Sequence, residues 1–371
     1  MERIERLDPI SSSRINSNVS ASPRLSSENK YWLFSRQLDL TVFLGSAVLA
    51  LVLLALGWQF GILNNESPEW TWVSAVLFID VAHVWSTSFR VYFDKEELRR
   101  RFWLYVLVPV FGYALGVALY SEGDLTFWRV LAMIAVFHFI RQQYGWVALY
   151  RRKLRETETW TSWIDAAAIY LASIYPLAFW MTRLPRNFEW FVKDDFLAIP
   201  AFVETVLYPV YIAALVAYVA KSIYLYVTRD FLNIGKDIVV ATTVICWYVG
   251  IVVFNSDYAF TVTNVIIHGV PYFALIYVYA RFRRERTGRV YKTLSHNWLI
   301  FLATLWAIAY IEELFWNRGV WHEHQWLFGS DWDWQTAKMY LVPLLAVPQL
   351  THYVLDGFIW RRKNNPDFKL I

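Results

Sequence analysis

The sequence predicts an all-α, polytopic integral membrane protein: a bundle of about ten transmembrane helices with both termini in the cytoplasm. Three observations support this prediction. Hydrophobic residues make up 57% of the 371 residues and charged residues only 18%, well below the roughly 25% that is usual for a soluble domain. Ten apolar stretches are long enough to cross a bilayer. The basic residues between these stretches fall mostly on one side.

Each of the ten stretches approaches the roughly 20 mostly apolar residues that a helix needs to cross the hydrocarbon core. They are residues 40–62, 71–90, 102–120, 127–149, 161–182, 201–228, 236–256, 258–280, 296–315 and 337–360. The polar, serine-rich residues 1–35 predict a disordered cytoplasmic tail. Residues 36–361 predict one transmembrane helical domain, and residues 362–371 predict a cytoplasmic C-terminal tail.

The basic residues predict the orientation of the bundle. If the ten stretches cross alternately, 28 of the 35 Lys and Arg residues lie on the side of the termini and six on the other, and Arg141 remains inside a span. Such an excess marks the cytoplasmic side, and the bacterial inner membrane is the expected location. We interpret the basic loops as topology determinants and lipid contacts, not as a nucleic-acid surface. The single cysteine, Cys246, excludes a scaffold of intrachain disulfides.

Four predicted spans carry a histidine with polar residues one or two helical turns away. The groups are Asp80 with His83, His138 with Gln142, Asn264 with His268, and Gln349 with His352 and Asp356. Spacings of three, four or seven residues place each group on one face of its helix. Ionisable side chains inside a membrane are costly and are usually functional.

The four histidines are also predicted to lie at a similar depth. Each precedes the next cytoplasmic Lys or Arg by 7 to 13 residues, or roughly 10–20 Å at a helical rise of about 1.5 Å per residue. Their helices run in the same direction, from outside to inside. We therefore expect the four rings to share one layer of the bundle interior.

Imidazoles and carboxylates together in a bundle interior suggest a transition-metal centre. Imidazole suits iron, copper and zinc, and helical bundles build di-metal sites from facing helices. The predicted ligands are His83, His138, His268, His352, Asp80 and Asp356, which exceed the four ligands of a tetrahedral zinc site. We expect two or more metal ions, di-iron or mixed iron and copper, or else one metal with carboxylates that orient the imidazoles. The predicted hydrogen-bond partners of the ligands are Asn264, Gln142 and Gln349.

Arg141 follows His138 by three residues and allows two interpretations. It could pair with Asp80 or Asp356, or it could hold the carboxylate or phosphate head of an amphiphilic substrate. Aromatic residues near the predicted ligands could carry electrons or holes between the site and the surface; they are Trp85, Tyr144, Trp146, Tyr272, Tyr353 and Trp360. We therefore include Arg141, Tyr144 and Tyr272 as candidate catalytic residues.

Four segments carry a resemblance to known proteins. HVWSTSFRVYFD, HFIRQQYGW, HGVPYFALIY and HYVLDGFIWRR resemble segments of an uncharacterised group of bacterial polytopic membrane proteins. The histidine arrangement also resembles membrane-bound non-haem iron oxygenases and oxidases, such as the bacterial and archaeal retinal-forming carotenoid oxygenases, which gather histidines from several spans. The H-x-x-H-H clusters of fatty-acid desaturases and hydroxylases are absent from the sequence, and this departure leaves the substrate open.

These features predict a membrane-embedded non-haem oxidase or oxygenase that activates O₂ on a hydrophobic, lipid-like substrate reaching the site from the bilayer. The alternative is a proton-coupled transporter that uses the intramembrane Asp and His residues. Two further alternatives are a haem-binding electron carrier with two axial histidines, and a membrane-bound acyltransferase with His268 as base. The sequence contains no G-x-S-x-G or Walker A motif, so a serine hydrolase or a P-loop nucleotidase has no support.

Overall fold

The computed structural model describes residues 31–65, 67–334 and 337–361. Within these ranges the chain consists of helices and connecting loops, with no β-strand, and the predicted all-α class is confirmed. Most of the predicted N-terminal tail and the predicted C-terminal tail lie outside the described residues. We number the helices of four or more residues in chain order. They are α1 (Arg36–Gln59), α2 (Glu69–Arg90), α3 (Lys95–Arg100), α4 (Phe102–Glu122), α5 (Asp124–Lys153), α6 (Thr159–Met181), α7 (Phe202–Arg229), α8 (Ile234–Val253), α9 (Asp257–Arg283), α10 (Arg289–Leu294), α11 (Trp298–Trp321), α12 (Gln325–Phe328), α13 (Lys338–Leu345) and α14 (Val347–Ile359).

Eight of these helices are long and apolar enough to cross a membrane: α1, α2, α4, α6, α7, α8, α9 and α11. The other two predicted spans correspond to α5 and to the pair α13–α14. Helix α5 has 30 residues, but it contains Arg129, His138, Arg141, Gln142 and Gln143, and these polar residues lower its mean hydropathy.

The tenth apolar stretch is not one continuous helix. Helix α13 ends at Leu345, Ala346 takes φ −79° and ψ −7°, and α14 begins at Val347 with Pro348 in its first turn. Proline has no N–H to donate and is best accommodated in the first turn of a helix. Pro348 therefore accounts for the position of the break, which lies roughly one and a half helical turns before His352.

Helix α9 lies at the centre of the bundle. In its most apolar 18-residue segment 83% of the residues are buried, against 11% for α7 at the periphery, and it packs against α1, α2, α5 and α8. The Ser256 side chain caps its first turn by accepting from the N–H of Ala259, while Arg281 and Arg283 lie in its last turn, where basic residues complement the helix dipole. This central helix supplies His268.

Buried ion pairs join the helix ends on the side predicted to be cytoplasmic. Asp94, in the loop after α2, accepts hydrogen bonds from Arg283 at 2.7 Å and from Tyr279 at 2.8 Å. Burial alone would raise the pKa of Asp94, but the hydrogen bonds from Arg283 and Tyr279 outweigh it and lower the pKa below its ordinary value. A second network joins Asp165 to Lys236, Lys221 and Arg151. The two networks fix α2 to α9 and α6 to its neighbours.

The last residues of the predicted tail differ from the prediction. Trp32 and Leu33 are buried, with exposed fractions of 6% and 3%. The Asp39 carboxylate accepts from the backbone N–H groups of Leu33 and Phe34. Residues 31–35 are therefore packed against the helical domain, because a carboxylate at the start of α1 satisfies their backbone donors.

Candidate metal centre

The structure brings together the four histidines that the sequence predicts to share a layer. His83 comes from α2, His138 from α5, His268 from α9 and His352 from α14, and all four are at least 97% buried. The Nε2 atoms of His83 and His268 lie 3.1 Å apart, and those of His352 and His138 also lie 3.1 Å apart. The ring centroids of His83 and His352 are separated by 4.9 Å and link the two pairs.

This spacing suits a metal ion. Ligand atoms of His83, His138 and His352 all lie within 4.8 Å of one another, so this group could hold an ion. Metal–imidazole bonds are about 2.0–2.1 Å long, which places neighbouring ligand nitrogens of one ion roughly 3.0–3.4 Å apart. The two separations of 3.1 Å agree with that range. Rings this close leave no space for a porphyrin between them.

The close approach of α2 and α9 depends on Gly269. A Cβ atom at position 269 would lie 2.5 Å from Ile79 Cγ2 and 3.7 Å from His83 Cβ. A glycine next to His268 therefore lets the two backbones approach until His83 and His268 meet. Helix α2 is π-helical from Trp72 to Val81 and α-helical from Ala82 onward. Such local changes of helical winding often occur at functional sites.

A chain of hydrogen bonds holds the ring of His352 from behind. Its Nδ1 lies 2.7 Å from Thr87 Oγ1, which lies 3.1 Å from the Tyr272 hydroxyl. Tyr272 donates to Asp356 Oδ1 at 2.6 Å, and Trp360 donates to the same oxygen at 2.7 Å. Because the Tyr272 proton goes to Asp356, Thr87 donates to Tyr272 and His352 Nδ1–H donates to Thr87. The Nε2 lone pair of His352 therefore points into the cluster.

His83 is oriented in the same way. Its Nδ1 hydrogen-bonds the backbone carbonyl of Asp80 and lies 3.5 Å from the Asp80 carboxylate. A carbonyl oxygen only accepts, so Nδ1 carries the proton and Nε2 is free to bind a metal. For His138, Nδ1 faces the carboxylate of Asp356 at 3.9 Å. Both aspartates thus lie on the Nδ1 side of the rings, which is typical of groups that orient metal-bound imidazoles.

Ring stacking, more than hydrogen bonding, holds the His268 side chain in place. Its ring stacks on Phe139 at a centroid distance of 3.6 Å and an angle of 7°. Its Nδ1 has no hydrogen-bond partner among the described residues. The Gln142 side chain donates to the backbone carbonyl of His268 at 2.7 Å, which fixes the helix but not the ring.

The three amide residues predicted as partners of the ligands lie close by but bond to other groups. Gln142 bonds the backbone of His268, as above. Asn264 donates to the Phe260 carbonyl at 3.0 Å, and Gln349 donates to Glu312. In the part of the chain that the structure describes, the amide oxygen of each is buried without a partner. Their predicted bonds to imidazoles are not observed.

Arg141 and Tyr144 lie outside the cluster. Arg141 is exposed, donates to the Tyr170 hydroxyl and faces the rings of Tyr144 and Tyr170 at 5.2 and 5.9 Å. Its observed partners are therefore aromatic, and neither Asp80 nor Asp356 is among them. Tyr272, by contrast, is 1% exposed and its ring lies 5.3 Å from that of His352.

The structure adds contacts that the sequence analysis did not predict. Thr87 links His352 to Tyr272, and Tyr353 covers His138 at a ring distance of 5.0 Å. Glu312 accepts from Trp85 and from Gln349, the residue one turn before His352. Thr87 lies one turn after His83 on the same helix, so helical spacing could have indicated it. Helical spacing gives no such indication for Glu312, because α11 carries no histidine of the cluster.

Comparisons with known proteins add no relative to this description. No family model matches the chain, and no curated protein and no solved structure shows significant similarity to it.

Proposed function

We propose that this protein is a membrane-embedded, non-haem metalloenzyme: an oxidoreductase that activates O₂ to oxidise a hydrophobic, lipid-like substrate. One observation carries the proposal. Four buried imidazoles from four helices face one another through Nε2, and hydrogen bonds on the Nδ1 side point at least two of those lone pairs inward. Each such lone pair, buried away from water, needs either a proton on the facing imidazole or a cation as its partner, and a single cation would serve several rings at once.

The donor set favours iron or copper. Imidazole suits both metals and also zinc, but the proposed activation of O₂ needs a redox-active ion. Nitrogens of His83, His138 and His352 lie close enough to share one ion, and His268 joins this group through its contact with His83. Asp80 and Asp356 lie behind the rings, so in this proposal they orient imidazoles and offset charge. The sequence also predicts a second metal ion. That ion would have to bind Asp80 and Asp356 on the side that faces away from the imidazole cluster, and it stays a prediction.

The protein's own residues give this centre a closed environment. Phe139 and Tyr353 cover His268 and His138 and exclude water from one side of the cluster. Tyr272 and Asp356 form a hydrogen-bonded pair that can hold a proton close to His352. Bound iron would supply the capacity to activate O₂ and to accept or donate single electrons.

The site would lie inside the membrane. We infer ten crossings, with α5 and the pair α13–α14 completing the eight apolar spans, and we place both termini in the cytoplasm of a bacterial cell. The skew of basic residues supports this orientation. Helix α5 packs against the apolar helices α4 and α6, which supports the inference that α5 also crosses the membrane. A substrate would then enter from the bilayer.

The test is spectroscopic. The protein should be purified without chelators, loaded anaerobically with Fe(II), and exposed to nitric oxide, which occupies the O₂ position of non-haem iron. We expect a half-integer-spin EPR signal that His352→Ala lacks. Metal that binds without responding to nitric oxide would contradict the oxidase and leave only a structural metal site.

A second candidate, a proton-coupled transporter, is favoured by a different observation. Glu312 and Glu313 on α11 are more than 90% buried, and Asp80 Oδ1 is buried without a hydrogen-bond partner in the described ranges. No Lys or Arg of the described residues forms a salt bridge with these three carboxylates, and intramembrane carboxylates of this kind can relay protons. Proton uptake by metal-free protein in liposomes, lost in Glu312→Gln, would favour this function.

A further inference from the structure

The outward face of α5 carries a groove that the metal centre does not use. Arg129, Val130, Met133, Ile134 and Phe137 line it, and its volume is about 350 Å³. Met133 is 47% exposed and Phe137 is 64% exposed. These residues recur at intervals of three and four and form one stripe along the helix.

Arg141 continues this stripe by one turn. It is the eighteenth of the 30 residues of α5, so it lies close to the middle of a helix that packs between apolar helices. Its side chain is exposed, and no carboxylate of the described residues forms a salt bridge with it. An exposed guanidinium without a carboxylate partner is costly at membrane depth, and such residues usually mark a binding site or a pathway.

The guanidinium is nevertheless held in place. Tyr144 and Tyr170 stack on each other at 5.1 Å with an angle of 17°, and both rings face Arg141. The Tyr170 hydroxyl accepts a hydrogen bond from Arg141 Nη1. Contacts with aromatic faces and one hydroxyl fix the position of the cation and leave its other donors available for an anion.

We propose that Arg141 binds the carboxylate of a long-chain fatty acid whose alkyl chain lies in the groove from Phe137 toward Val130. A guanidinium pairs with a carboxylate through two parallel hydrogen bonds. The groove is lined by residues of one helix and runs along that helix, as an extended alkyl chain would. A diacyl phospholipid keeps its phosphate at the membrane surface, whereas Arg141 lies near the middle of α5, so a single-chain acid is the better match.

This site is separate from the proposed metal centre. Helix α5 presents His138 inward and Phe137 and Arg141 outward, so the fatty acid would bind on the outer surface of the helix and not among the imidazoles. The inference therefore does not rest on the proposed oxidase activity. A bound fatty acid beside α5 would serve as a ligand that stabilises the helix.

Binding of palmitate to the purified full-length protein tests the proposal, with hexadecanol as the neutral ligand of equal chain length. We expect saturable binding of palmitate, at least tenfold weaker binding of hexadecanol, and at least a tenfold loss of palmitate affinity in Arg141→Gln. Arg289→Gln, at an exposed residue that begins α10, is the matched control and should bind as the wild type does. Metal content should be the same in all three proteins.

Three results would overturn the proposal. They are equal binding of palmitate and hexadecanol, unchanged palmitate affinity in Arg141→Gln, and displacement of palmitate by an anionic phospholipid at equal concentration. If Arg141→Gln does not fold, Tyr170→Phe replaces it, because this change removes the hydroxyl but keeps the ring. It should weaken palmitate binding several-fold, and an unchanged affinity would again contradict the proposal.

Discussion

The Nε2 atoms of His138 and His352 lie 3.1 Å apart, although 214 residues separate them in the sequence. Hydrogen bonding through Thr87 and Tyr272 gives His352 its proton on Nδ1, so its Nε2 carries a lone pair toward His138. His138 or a cation must complement that lone pair. The same geometry recurs between His83 and His268, and the metal ion that we propose would complement the lone pairs of both pairs.

Thr87→Val should weaken metal binding because it removes the hydroxyl that accepts from His352 Nδ1. Loss of an oriented hydrogen bond behind a metal-bound imidazole typically lowers metal affinity roughly 10- to 100-fold. Competition with a chelator would measure the affinity. Thr351→Val is the matched control, since the Thr351 hydroxyl is buried with no hydrogen-bond partner in the described chain. Equal losses in the two variants would show that the hydrogen bond does not matter.

Gly269→Ala should separate His83 from His268. The new Cβ would lie 2.5 Å from Ile79 Cγ2, so α2 must shift, and forced overpacking of a core typically costs about 1–3 kcal/mol. We expect lower metal content and lower thermal stability. Adding Ile79→Ala should restore part of the metal content, because it removes the clashing methyl group.

The control for this variant is Gly145→Ala on α5. A Cβ there meets no atom within 4 Å, and alanine is a better helix former than glycine by about 1 kcal/mol. Its stability should be equal to or above that of the wild type. A Gly269→Ala protein with wild-type metal content would refute the role assigned to the close approach of α2 and α9.

The sequence allowed prediction of the helices and of the histidine layer. Apolar length marks a span, and counting residues to the nearest basic loop gives depth, so His83, His138, His268 and His352 could be matched from spacing alone. Side-chain direction was harder to predict. Arg141 lies only three residues after His138, yet it faces away from the cluster toward Tyr144 and Tyr170.

Other features depend on contacts between helices that sequence spacing does not contain. Glu312 was not selected from the sequence, but it accepts a hydrogen bond from Gln349 of another helix. The break before Val347 shortens the last helix and sets the position of Gln349 relative to α11. The predicted tail extended too far, because the hydrogen bonds from the backbone of Leu33 and Phe34 to the Asp39 carboxylate are visible only in three dimensions.

Asp94→Asn should destabilise the protein near neutral pH. Asp94 is buried and accepts from Arg283 and Tyr279, and loss of one partner of a buried ion pair costs about 3–5 kcal/mol. The folded-state pKa of Asp94 is lowered from 3.8, so its stabilising contribution is present above that pH and is lost as the pH falls through the folded value. Thermal unfolding in detergent should therefore show a gap between variant and wild type that narrows only below about pH 4.

Glu285→Gln provides the comparison for Asp94→Asn. Glu285 forms an exposed pair with Lys292, and exposed pairs contribute about 0–1 kcal/mol. A stability loss in Glu285→Gln as large as that in Asp94→Asn would show that charge removal in general, and not the buried contact with Arg283, destabilises the protein.

The central claim is that the four imidazoles bind a metal, and the most direct measurement is metal content by mass spectrometry. The wild type, purified without chelators, should contain at least one equivalent of iron or copper per chain and show no haem absorption band. His83→Ala, His138→Ala, His268→Ala and His352→Ala should each lose most of it, whereas His296→Ala, at an exposed residue before α11, should not. Unchanged metal content in all four cluster variants, or no metal in the wild type, would contradict the account.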